Sequence, residues 1–204
     1  MSNHFKFIEI GSNHVDTLIH EYGINVKGLL VEPIKESFDL IPTSDSIFKE
    51  NCAITNKNGT IDMYIHFDEK TTNIWKFIPL EKIKKFGWKV IGNSDITSIN
   101  PTHRKTDKKR QVNCMTFKTL IEKYNISSVD ILKIDTEGHD HIILEQVYDC
   151  LQSQQFKINK LLRYEKNELS SHTELEKISN KIKYLCNFTN EEYKKKQMEV
   201  FLWK

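Results

Sequence analysis

The chain has 204 residues, of which 38% are hydrophobic and 28% charged, with a formal net charge of +2. That length supports one domain with a real core rather than two. The mild charge does not by itself indicate nucleic acid, because a phosphate-binding protein carries a concentrated basic face.

Four cysteines, Cys52, Cys114, Cys150 and Cys186, form no CxxC pair. A zinc knuckle or a dense disulfide framework is therefore not expected, and free thiols in a reducing compartment are. No apolar run approaches membrane-spanning length, and Met1 to Lys6 do not begin a basic-then-apolar leader. A cytoplasmic location with no membrane partner is expected on those grounds.

In chain order, Phe5 to Ile10 reads as a strand, followed by a turn at Gly11 into a short helix ended by Gly23. Val26 to Val31 reads as a second strand ending in Glu32-Pro33, with Pro33 placed as the first residue of a helix through Phe38. Glu32 stands 21 positions after Gly11. In a mononucleotide-binding βαβ half, an acidic side chain at that remove accepts hydrogen bonds from ribose hydroxyls. The bland alternative is a surface glutamate beside a proline.

The loop's composition bears on which nucleoside cofactor fits. A GxGxxG fingerprint needs its second glycine for the backbone to approach a pyrophosphate, yet Asn13 and Asp16 occupy those positions. S-adenosylmethionine has no phosphate and carries a cationic sulfonium and an ammonium, so a nearby acid such as Glu9 becomes an asset. The loop favours that cofactor over NAD.

A third strand is expected over Asn51 to Ile54, with Asn58-Gly59 turning a hairpin into Thr60 to Phe67. Backbone near Cys52 to Ile54 would adjoin the adenine. Residues 68–111 read as a loop-rich insertion within the single domain. It holds the one basic cluster, Arg104, Lys105, Lys108, Lys109 and Arg110, which is either a solvated loop or a contact for an anionic substrate. Val112 to Met115 is a further strand candidate, and Thr116 is a plausible N-cap for a helix carrying Phe117, Leu120, Ile121 and Tyr124 on one face.

The chemistry concentrates at Val129 to Asp140. An apolar run with Lys133 inside it suits a strand buried in a parallel sheet. It gives way to Asp135, Glu137, a glycine, His139, Asp140 and His141, then to a helical pattern through Ile143, Leu144, Val147, Cys150 and Leu151. Carboxylates and imidazoles at a strand-to-helix junction lie at the carboxyl edge of an open α/β sheet, where such folds place ligands. Either Asp135 and Glu137 orient or act as a base with His139 or His141, or they hold Mg²⁺ or a similar hard cation. Lys133 reads as a structural cation pointing past the sheet. Lys160 to Tyr164, Thr173 to Leu185 and Met198 to Trp203 complete the pattern as strand, helix and strand. The alternation implies a mostly parallel sheet with helices on both faces.

These residues resemble the FkbM-type methyltransferases, a branch of the class I S-adenosylmethionine-dependent fold. The resemblance rests on Phe7-Ile-Glu-Ile-Gly-Ser-Asn13, Leu30-Val-Glu-Pro33, Ala53 with Gly59, and above all Val129-Asp-Ile-Leu-Lys-Ile-Asp-Thr-Glu-Gly138. It implies a Rossmann-like, mostly parallel seven-stranded sheet with the last strand antiparallel. It also implies O-methylation of a sugar, glycan or other small-molecule hydroxyl.

Carried onto this chain, Glu9, Gly11, Ser12, Asn13, Glu32, Pro33, Ala53 and Asp135 would serve the cofactor, and Asp135, Glu137 and His139 the transfer. Val15 stands where many members have a second glycine. A nucleoside-binding module without turnover is therefore an alternative, and an RNA methyltransferase, suggested by the basic cluster, is a weaker one.

Overall fold

The computed structural model describes residues 2–13, 18–65, 109–136, 138–163 and 172–186. The central strand β1 spans Asn3–Ile10, and its last four residues are buried. Burial on both faces is what an apolar run in a parallel sheet requires. On one side β1 pairs in parallel with β2, Gly28–Val31, which pairs with β3, Ile47–Glu50. On the other side it pairs with β7, Ile126–Ile134, which pairs with β8, Lys157–Arg163. The result is a five-stranded parallel sheet in the order β3-β2-β1-β7-β8.

Both faces of this sheet are covered. Phe7, Leu30 and Ile131 pack against α1, Ile19–Tyr22, and the end of α2, Lys35–Leu40. Ile8, Val31, Leu132 and Ile134 pack against three helices: α3, Phe117–Lys123; α4, Asp140–Gln152; and α5, His172–Leu185. In α4 the apolar positions Ile143, Leu144, Val147, Cys150 and Leu151 fall on one stripe, as a 3.6-residue period demands. Thr116 caps α3, its side chain accepting the Thr119 N–H at 3.0 Å. Gly28 makes room for the Phe7 ring, since a Cβ there would lie 2.3 Å from it.

A second, three-stranded sheet has β4, Ala53–Ile54, and β5, Gly59–Tyr64, on either side of β6, Lys109–Met115. Strand β6 is parallel to β4 and antiparallel to β5. These strands enclose a small core of their own around Ala53, Met63, Val112 and Cys114, into which Ile34 reaches.

Several expectations are corrected. Among the described residues the main sheet has five strands rather than seven. Val112 to Met115 is a strand as expected, and it is the end of β6 in the second sheet: Lys109, Arg110, Gln111 and Asn113 are exposed and only one face is apolar. Such alternation suits a half-solvated strand, not the middle of a parallel sheet. The strand that pairs with β2 is Ile47–Glu50, ending before Asn51. Asn58-Gly59 does not join a hairpin: β4 and β5 each pair with β6, and the Asn58 side chain instead accepts the N–H of Thr116 at 2.9 Å. Pro33 lies outside α2, whose N-cap is Ile34. The expected insertion loses its last residues, Lys109 to Gln111, to β6, and the rest of it lies outside the described residues, as do Met198 to Trp203.

All four cysteines are free. Burial pushes the Cys52 thiol up to about 12, so it stays protonated and unreactive at neutral pH. No helix among the described residues is long and apolar enough to cross a membrane.

Candidate functional site

The sheet order reverses between β2 and β7 on either side of β1, so the chain leaves β1 and β7 in divergent loops at their carboxyl ends. That divergence is the crevice in which open α/β sheets hold ligands. Its floor is tightly built. Asp135 N–H donates to the Ile10 carbonyl at 3.0 Å, and Gly11 N–H donates to Val31 at 2.9 Å. Gly11, at φ +77°, passes so close to β7 that a Cβ on it would sit 1.9 Å from the Asp135 carbonyl oxygen. Only glycine meets both requirements.

Beyond Gly11, Asn13 also adopts a left-handed backbone at φ 48°, which turns its N–H onto Glu32. The Glu32 carboxylate, 6% exposed, accepts Asn13 N–H at 2.9 Å and Ile34 N–H at 2.8 Å. The strand end is pinned in turn by Asn51, whose Nδ2 donates to the carbonyls of Glu32 at 2.8 Å and Pro33 at 3.2 Å. The loop after β1 and the tip of β2 thus form one unit. Ser12 is 1% exposed, and its hydroxyl has no hydrogen-bond partner among the described residues. Such a buried group carries a desolvation penalty of about 1–3 kcal/mol, which a ligand reaching it would relieve.

Glu9 lies behind this floor. It is completely buried; its Oε1 accepts from Lys133 Nζ at 2.8 Å and its Oε2 from Leu18 N–H at 2.8 Å. The side chain therefore straps the far end of the loop to the central strands. Lys133 does not point past the sheet as expected: it is buried against Glu9.

On the β7 side, Asp135 is half-buried and Gly138 turns the chain at φ 95°. Asp140, the first residue of α4, reaches back to accept Thr136 N–H at 2.9 Å and is bonded to the Thr136 hydroxyl as well. A carboxylate there also meets the positive end of the helix. The cap position itself is His139, which makes no side-chain cap bond. Its Nε2 lies 3.0 Å from Oγ1 of Thr55, just past β4. Burial, and secondarily the neighbouring His141, push the His139 imidazole down to about 4, so it is neutral at pH 7.

Of the residues singled out by sequence, Gly11 and Asp135 meet at the crevice floor, and Asn13 and Glu32 are bonded beside them. Ser12 lies in the same loop. Pro33 follows Glu32 directly, with its carbonyl held by Asn51. Ala53 is buried in the core of the second sheet. Glu137 lies outside the described residues.

The basic cluster is represented by Lys109 and Arg110; Arg110 pairs with Glu36 on α2 and holds that carboxyl below its ordinary range. No group of three or more His, Cys, Asp or Glu among the described residues is arranged to hold a metal ion. The Mg²⁺ expectation has no support from them. Asn51, Thr55 and the Lys133–Glu9 pair escaped the sequence reading. Asn51 was within reach of it, as a polar residue at a strand's carboxyl end, whereas Thr55 gives no local signal.

Comparison with curated proteins gives no match, and neither does comparison with solved structures. A sequence model of the methyltransferase FkbM domain matches residues 9–191, which include both switch-point loops and Glu32. The chain belongs to the FkbM methyltransferase domain family, and that membership supports a methyltransferase.

Proposed function

We propose that this chain is an S-adenosylmethionine-dependent O-methyltransferase acting on a hydroxyl of a sugar, glycan or other small-molecule acceptor. The observation that carries the reading is the buried Glu32 carboxylate, oriented by two backbone N–H groups and joined through Asn13 to the Gly11 loop. A carboxylate has acceptor capacity for more than two donors, and vicinal ribose hydroxyls offer two. The Ser12 hydroxyl in the same loop, without a hydrogen-bond partner among the described residues, fits a ligand settling there. When bound, the cofactor supplies an electrophilic methyl group on a sulfonium.

The protein's part is then to position two reactants and to manage one proton. Gly11 to Asn13 and Glu32 hold the nucleoside, while Asp135 borders the acceptor hydroxyl. His139 receives the proton. Its lowered basicity is no obstacle, because a hydroxyl becomes strongly acidic as its oxygen bonds to carbon, so transfer to a weak base proceeds late in the displacement.

The test is calorimetric titration with S-adenosylhomocysteine, followed by methyl-transfer assays against a panel of glycosides, with RNA as the comparison. Micromolar binding that Glu32→Ala weakens, together with turnover on a glycoside, is expected. Absence of binding to the wild-type chain sinks the reading.

A further inference from the structure

The second sheet meets the candidate site at Thr55, beside His139. Thr55, directly after β4, is 1% exposed and is held in place by its backbone N–H, which donates to the Met115 carbonyl of β6 at 3.0 Å. Its hydroxyl faces two groups: Nε2 of His139 at 3.0 Å and, more distantly, Oδ1 of Asn56 at 3.5 Å. The histidine is 84 residues further along the chain. A neutral imidazole has one N–H and one lone pair, and the bond made at one nitrogen decides which role remains for the other.

Oδ1 of Asn56 is an acceptor and can take the Thr55 proton across that longer contact. The lone pairs of the hydroxyl are then left to accept from His139. We infer that Thr55 is a positioning residue that holds His139 as the Nε2–H tautomer and leaves Nδ1 as the nitrogen that receives the acceptor's proton. This rests on the reading of His139 as proton acceptor given above. It also assigns the small sheet a role: it sets the chemical form of the side chain at the cap position of α4.

The tautomer is measurable without substrate. The whole protein, labelled with ¹⁵N in its histidines, is examined at neutral pH by long-range ¹H–¹⁵N correlation, and His139→Gln identifies the resonance. The inference expects one Nε2–H tautomer in the wild type, a mixture in Thr55→Val, and restoration of the single form in Thr55→Ser. An Nδ1–H tautomer in the wild type overturns it, and so does a Thr55→Val spectrum that keeps the wild-type form. A fall in melting temperature with an unchanged tautomer assigns Thr55 a packing role only, and also overturns it.

If Thr55→Val does not fold, the wild-type and Thr55→Ser spectra still decide, because both must show the Nε2–H form. S-adenosylhomocysteine titration of the same samples keeps the parent reading separate. Loss of binding in the wild type defeats that reading and leaves the tautomer result standing on its own.

Discussion

The carboxylate of Glu32 accepts the backbone N–H of Asn13 at 2.9 Å, joining the tip of β2 to the loop that leaves β1. Glu32→Ala removes the acceptor for both Asn13 and Ile34 and also any contact with ribose. Affinity for S-adenosylhomocysteine should fall by about 10- to 100-fold, the size expected for hydrogen bonds to a charged group. Titration calorimetry measures it. Glu32→Gln keeps the shape but turns an amide toward backbone donors, and it should lie between the wild type and the alanine variant.

Gly11→Ala meets two obstacles at once, the Asp135 carbonyl and the left-handed backbone. Overpacking of about 1–3 kcal/mol and a conformational penalty of about 1–2 kcal/mol together predict a loss on the order of 3 kcal/mol. Urea denaturation should show the midpoint displaced accordingly. An unchanged midpoint would mean that β1 and β7 can part at their ends without consequence.

His139 gives a pH signature. Its folded pKa, about 4, lies below that of an ordinary imidazole because burial disfavours the charged form. A group depressed in this way contributes stability that is present in full above pH ~6.5 and is lost as pH falls toward the folded value, up to about 3 kcal/mol. Between pH 7 and 4.5 the unfolding free energy of the wild type should therefore decline more steeply than that of His139→Gln. Parallel declines would contradict the buried, neutral imidazole.

The Lys133–Glu9 pair predicts an asymmetry between single and double substitution. Lys133→Met withdraws the ammonium from a completely buried carboxylate, a change that destabilises by about 3–5 kcal/mol. Adding Glu9→Gln removes the buried charge yet keeps an oxygen for Leu18 N–H, so the double variant should recover much of the loss. A double-mutant cycle by chemical denaturation reads the coupling.

What the sequence disclosed here was local. The Gly11 turn, the helical stripe from Ile143 to Leu151 and the Thr116 cap each depend on residues within a few positions of one another. So did the sense of the main sheet, since Phe7 to Ile10 and Ile131 to Ile134 carry the apolar runs of doubly covered strands. The second sheet was misread because Asn58-Gly59 has the composition of a hairpin turn, while β6, the strand that separates β4 from β5, comes from far along the chain. The alternation of polar and apolar residues from Gln111 to Cys114 is present in the sequence, yet it does not say which sheet receives it. Thr55 with His139, and Glu9 with Lys133, are juxtapositions set by packing between remote segments. Neither partner carries a local mark of the other.

Strand β1 finds its β2 neighbour soon after leaving the ribosome, but its other neighbour, β7, is far more distant: Glu9 and Lys133 are 124 residues apart. During synthesis the Glu9 carboxylate is therefore made long before Lys133, and the Gly11 bend long before the Asp135 carbonyl it packs against. Long-range pairing of this kind slows folding. Until β7 is made, the edge of β1 that it covers has no strand beside it, and chaperone demand should be greatest in that interval.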